Sequence, residues 1–160
     1  MDADDLKRHI CETFEGVSVV ESSGDLFFSY DPDGDVVASE QWTPFATIVT
    51  GDTYDGVSDL SRPGDHRLNI GLTKATYTAR FGAPPRERGD HGVLDTGFDY
   101  AVRDEVLPHP LYASQYWVCV VNPGRATLDE EVAPLLAEAY ERAVRAHAAR
   151  RARRARRARA

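Results

Sequence analysis

Five residues of this chain can do chemistry without belonging to a recognised catalytic motif: His109, Tyr112, Trp117, Arg67 and Asn69. His109 stands before Pro110, and an imidazole with a free pKa of about 6.5 suits proton transfer or metal ligation near neutral pH. No Ser, Cys or acid accompanies it at a motif spacing, so a structural or capping role is its plainer reading. Tyr112 and Trp117 follow. With Phe45, Phe98 and Tyr116 they can line a ligand pocket whose few polar groups are Arg67, Asn69 and His109, or they can pack a core. His66 and His91 fall in a strand edge and a loop, and nothing in their spacing brings them to His109. Asp31, Asp33 and Asp35 alternate like the opening of a calcium loop. Val36 occupies the position that needs Gly, however, and Trp42 the one that needs Glu, so the three read as a solvated turn. GxGxxG, GxxxxGKS, HExxH and GxSxG patterns are absent from the sequence. No catalytic residue, metal or cofactor is expected, and the chain reads as a non-enzymatic protein.

A second feature is electrostatic. All 26 Asp and Glu residues precede position 142, whereas nine of the 19 Lys and Arg residues lie within 142–160. Residues 1–141 thus carry ten basic against 26 acidic side chains, a net of −16, and the arm that follows carries +9. The body should repel nucleic acid and anionic lipid, while the arm should seek them or fold back on its own domain. Alternating Arg-Arg-Ala drifts against the helical period and forms no apolar stripe, which argues against membrane insertion. Arg150, Arg151, Arg153, Arg154, Arg156 and Arg157 are the candidate contacts to nucleic acid or another polyanion. A disordered extension without a dedicated partner is the bland alternative, and an acidic protein, including a second copy of the chain, is a third.

These groups need a scaffold. At 160 residues, 42% hydrophobic and 28% charged, the chain suits one domain over 1–145 followed by a basic tail over 146–160 that continues the last helix or is disordered. Its acidic start is unlike a signal peptide, and its longest strongly apolar run, 116–121, is too short to span a bilayer, which suggests a soluble cytoplasmic protein. Cys11 and Cys119 sit among apolar neighbours and read as small buried thiols rather than a disulfide.

Leu6, Ile10 and Phe14 repeat every four residues behind Asp4 and Asp5, which predicts a first helix of about ten residues closed near Gly16. Segments 17–20, 26–30, 45–50 and 67–72 are short, β-branched or aromatic, and separated by turn residues. They predict consecutive antiparallel strands in a meander, with residues 22–25 a hairpin-sized turn and residues 31–35 opening a longer connection. Lys74 to Phe81 suits a short helix between an N-cap at Thr73 and Gly82. Residues 83–97 read as an exposed loop, and 116–121 as a buried strand stopped by Asn122-Pro123. Thr127 and Glu130 have capping-box spacing ahead of a long amphipathic helix. Pro134 lies too deep for that start, predicting a kink or a start nearer Asp129.

Four blocks stand out within this order: Tyr30 to Asp35, Pro44 to Thr50, Arg67 to Gly71, and His109-Pro110-Leu111-Tyr112. Together they resemble an uncharacterised bacterial family of unknown function over roughly residues 4–147. More distantly, the layout is similar to the MmcQ/YjbR-like proteins, small α+β domains with a Trp-bearing strand before a C-terminal helix, for which DNA binding has been suggested. Gln115-Tyr116 stands here where those proteins usually have Asn-Lys, and the acidic body argues against a DNA-binding face on it. The resemblance implies a fold and leaves the activity open. The expectation is an α+β domain, a mostly antiparallel sheet packed by N- and C-terminal helices, serving as a binding or accessory protein with unspecific nucleic-acid contact through its tail. The alternative is a small-molecule binder or unrecognised enzyme with a site around His109 to Trp117.

Overall fold

The first helix is closed by its own carboxylates. In the computed structural model, which describes residues 1–39 and 42–160, α1 spans Ala3–Thr13. The Asp2 side chain accepts from the Asp5 amide, and the Asp5 carboxylate accepts from the Asp2 amide. This reciprocal box ties down backbone donors that a helix start leaves open. The four-residue repeat buries Leu6 and Ile10. Cys11 is exposed, contrary to expectation, because one residue further along a helix lies about 100° round from the apolar stripe. Cys119 is buried as expected, and both thiols are free.

Six strands follow among the described residues: β1 Val17–Ser22, β2 Asp25–Tyr30, β3 Ala46–Val49, β4 Arg67–Gly71, β5 Val106–Pro108 and β6 Trp117–Val121. They form one sheet in the order β1-β2-β3-β4-β6-β5, and every neighbouring pair is antiparallel. The expected meander holds for the first four strands. It then breaks, because β6 returns to lie between β4 and β5. β5 was not expected, since three residues show no alternation; its Pro108 is tolerated because the strand is at the sheet edge. The β1–β2 hairpin turns through Ser23 and Gly24 at φ 54° and 84°, the left-handed pair that suits a two-residue hairpin loop.

Three connections depart from the sequence reading. Asp35–Ser39 forms a short helix, α2, within the longer connection that residues 31–35 open. Asp31 caps it, accepting from the Val36 and Val37 amides at 3.0 and 3.2 Å, so this carboxylate is buried in a cap while Asp33 and Asp35 are the solvated ones. Within the exposed 83–97 segment, Leu94 is fully buried in the core. The predicted capping box at Thr127 does not form, because Thr127 already has helical backbone angles and makes no side-chain cap bond. A short α4, Arg125–Thr127, starts behind Gly124 instead. It widens into a π-helical stretch, Leu128–Val132, before α5, Ala133–Arg159. Pro134 has no N–H to offer the carbonyl four residues back, and a π turn just ahead of it shifts the bonding by one residue, so the chain continues. The helix between β4 and β5, α3 at Lys74–Phe81, lies where predicted, with Thr73 accepting from the Thr76 amide and Gly82 at φ 76°.

Strand alternation divides the sheet's work between its faces. Phe28, Ala46, Ile48, Leu68, Ile70, Val118 and Val120 join Leu6 and Ile10 of α1 and Leu135, Leu136 and Ala139 of α5 in one core. The opposite face carries Phe27, Thr47, Asn69, Cys119 and Leu107, which stand opposite one another in register across five strands. This is an α+β fold with helices at both ends of the chain. No helix among the described residues is long and apolar enough to cross a membrane.

Candidate functional site

His109 is held by the turn that follows it. Its amide donates to the Trp117 carbonyl at 3.0 Å, and its Nδ1 accepts from the Leu111 and Tyr112 amides at 3.0 and 3.1 Å. Pro110 has no N–H, so these are the first two amides able to reach back. A backbone N–H can only donate, which places the ring proton on Nε2. The ring is 2% exposed and lies 4.9 Å from the Tyr112 ring between centroids. Burial, and then the Arg67 guanidinium, hold its pKa well below the usual 6.5. At neutral pH it is an uncharged donor, and no described residue accepts from Nε2–H.

Beside it lies a buried ion pair. Arg67 donates from Nη1 and Nη2 to the two Asp55 oxygens, each at 3.0 Å, and from Nη1 also to the Ser58 hydroxyl at 2.9 Å. Its Nε donates to Asn69 Oδ1 at 3.0 Å, and Asn69 Nδ2 donates in turn to Thr47 Oγ1 at 2.9 Å. The network spans β4, β3 and the loop between them. It neutralises the guanidinium and leaves one Asn69 N–H and the Thr47 O–H free to point at a visitor.

These groups form the floor of a pocket of about 270 Å³ on the sheet face opposite the main core. Phe27, Tyr54, Tyr112 and Trp117 supply its aromatic walls. At about 30 Å³ per water, the space suits roughly nine waters or one small ring system. All five residues singled out in the sequence, His109, Tyr112, Trp117, Arg67 and Asn69, lie on its lining. Gly71 explains where the indole sits: a Cβ there would come within 3.0 Å of Trp117 ring carbons. Sequence reasoning missed Asp55, Thr47, Phe27 and Tyr54. Strand alternation from Asn69 could have found Thr47, its cross-strand partner, whereas Asp55 sits in a Gly- and Asp-rich loop without a local signal.

The other aromatic candidates go elsewhere. Tyr116 packs on Tyr77 at 5.9 Å, Phe45 is in the core, and Phe98 is an exposed neighbour of Phe81. His66 is buried with Nδ1 on the Gly64 carbonyl at 2.8 Å, and His91 is in an exposed turn. No group of three metal-ligating side chains occurs among the described residues.

Residues 1–153 match the family of unknown function DUF6194. The chain belongs to that family. No curated protein and no solved structure matches it. Three of the four sequence blocks quoted above meet in this DUF6194 pocket, through Thr47, through Arg67 and Asn69, and through His109 and Tyr112.

The fourth block meets the basic helix. Arg151 and His147 approach Asp33 at 3.9 and 3.5 Å, and Arg154 approaches Asp35 at 3.5 Å. The two arginine pairs, exposed on both sides, contribute about 0–1 kcal/mol each. Arg153, Arg156 and Arg157 are exposed and have no ion-pair partner among the described residues. Arg150 is half-buried and turns toward a second cleft. The match to DUF6194 ends at residue 153, so Arg154, Arg156, Arg157 and Arg159 lie beyond it.

Proposed function

We propose that this DUF6194 protein binds a small, flat, uncharged molecule through a hydrogen-bond acceptor, without transforming it. The observation that carries this reading is the convergence of neutral donors, His109 Nε2–H, the free Asn69 N–H and the Thr47 O–H, on an aromatic-walled pocket with a charge-compensated floor. A carbonyl or ring nitrogen matches donors of this kind, and a charged ligand would meet no net opposing charge. The binding reading is favoured over catalysis by the state of the titratable groups. His109 is a weak base with Nδ1 occupied, both Asp55 oxygens are engaged by Arg67, and burial pushes the Cys119 thiol up to about 12.

The test is an NMR screen of uncharged heteroaromatic carbonyl fragments against the wild-type protein and His109→Asn. Asn can keep an acceptor for the Leu111 and Tyr112 amides while removing the donor at Nε2. Hits should shift the signals of Thr47, Asn69, Tyr112 and Trp117, and should bind about tenfold more weakly to the variant, as for loss of one buried hydrogen bond. Hits that map elsewhere, or that bind the variant equally well, would rule the reading out.

A second reading, unspecific contact with nucleic acid, is favoured by one observation: every residue from 151 to 160 is exposed, and six of them are arginines. α5, at 27 residues, is about 40 Å long, enough to lie along a duplex. Binding of duplex DNA and heparin should fall with salt at a slope near −0.9 per phosphate neutralised. Replacing Arg153, Arg156 and Arg157 with Gln should reduce both the affinity and the slope, and an unchanged slope would remove the helix from consideration. The free, exposed Cys11 suits a reducing, cytoplasmic setting for either function.

A further inference from the structure

Trp117 separates the pocket from a second cleft of about 430 Å³, which also borrows Pro44 and Gln115 from it. The far wall is α5. Arg142, Ala146 and Arg150 lie four residues apart in one row along the helix, and Ala139 and Ala143 beside them keep that wall low. Tyr30, Phe45 and Trp117 form the opposite side.

The charge of this cleft is unlike that of the body. Residues 1–141 hold 26 carboxylates, yet among the described residues no Asp or Glu lines the cleft, which carries two arginines. Arg151 and Arg154, on the same helix, approach Asp33 and Asp35. Arg142 and Arg150 have no ion-pair partner among the described residues. Arg142 gives one Nη1 bond to the Leu72 carbonyl at 2.9 Å, which steadies the guanidinium without neutralising it, and half-buried Arg150 has no bond at all among the described residues. Two uncompensated guanidiniums, with fork-shaped donor sets, facing aromatic rings in a concave space are the chemistry of an anion that carries a ring.

We infer that this cleft is a binding site for an aromatic organic anion, its phosphate or carboxylate held between Arg142 and Arg150 and its ring against Trp117 and Tyr30. The inference is independent of the first pocket, whose floor is neutral.

Phenyl phosphate and benzoate are the probes, titrated against the full chain carrying Trp42→Phe so that Trp117 is the remaining tryptophan and reports by fluorescence. Saturable quenching or enhancement is expected with at least one probe, and the tighter of the two identifies the anionic group. Arg150→Gln should weaken that probe about tenfold to a hundredfold, the range for loss of a hydrogen bond to a charged group. Arg145→Gln, exposed on the same helix outside the cleft, should leave it unchanged. The inference is overturned if neither probe binds at millimolar concentration, or if Arg145→Gln weakens binding as much as Arg150→Gln, which would mean general attraction to a basic helix. It is also overturned if inorganic phosphate competes as well as phenyl phosphate, which would leave the ring unrecognised. Arg142→Gln supports the inference by weakening the probe without lowering the unfolding midpoint below that of Arg150→Gln.

Discussion

Replacing Arg67 with Met should destabilise the protein by about 3–5 kcal/mol, the range for breaking a buried ion pair from one side. The Asp55 side chain is 6% exposed and that of Arg67 3% exposed, so the substitution strands a carboxylate that has lost both of its guanidinium bonds. It also removes the donors that satisfy Ser58 and Asn69 Oδ1. For a chain of this length the loss corresponds to a fall in Tm of about 6–20 °C. The double variant Arg67→Met, Asp55→Leu should recover most of it, because an apolar pair of similar volume leaves no lone charge in the interior. By contrast, Arg8→Ala, which removes an exposed partner of Asp5, should change stability by less than about 1 kcal/mol. Urea unfolding of the four proteins checks both statements. A loss of only about 1 kcal/mol in the single Arg67 variant would mean that water reaches the pair and the pocket floor is open.

Stability should also fall as the pH drops below about 6.5, and His109 should be responsible. In the folded state, burial and then the nearby guanidinium hold its pKa well below 6.5, while in the unfolded chain it titrates near the ordinary value of about 6.5. Between these two values the unfolded state binds a proton that the folded state does not, so stability rises with pH through that window and is unaffected by this group above it. The slope approaches about 1.4 kcal/mol per pH unit below 6.5 and ends where the folded ring finally protonates. His109→Asn keeps the cap on the turn and removes the titration. Its urea midpoint should therefore decline less steeply than wild type between about pH 6.5 and pH 5, above the carboxylate range. Parallel declines in the two proteins would assign the acid sensitivity to other groups.

The arrangement also explains why His109-Pro110-Leu111-Tyr112 could be singled out in sequence and still be ambiguous. The capping reading is met by one ring nitrogen, since Nδ1 accepts from two amides, and the proposed site reading uses the other, because that engagement leaves the proton on Nε2. Sequence spacing can propose either role, but it cannot say that the two ring nitrogens divide them.

Elements set by short-range rules were legible from the residues alone. The repeat of Leu6, Ile10 and Phe14 specified α1, Thr73 and Gly82 bracketed α3, and Ser23-Gly24 marked the first hairpin, because a cap, a stripe or a left-handed turn depends on neighbours within a few residues. The α+β class was legible too, and the split of charge between acidic residues before position 142 and arginines after it is read directly from the sequence. Other features depend on partners far along the chain. Val106–Pro108 is a strand only because β6 lies beside it. Pro134 is tolerated because the helix widens just ahead of it, and Asp55 becomes a pocket residue only when its loop folds over Arg67. Composition and spacing determined which residues could act, since side-chain chemistry and local periodicity are carried by each residue and its near neighbours. Tertiary structure alone decided that β4, β6 and the His109 turn close on one pocket and that Trp117 divides it from a cleft lined by two arginines. The register of an antiparallel sheet, and the face each side chain takes, are set by pairing between strands distant in sequence.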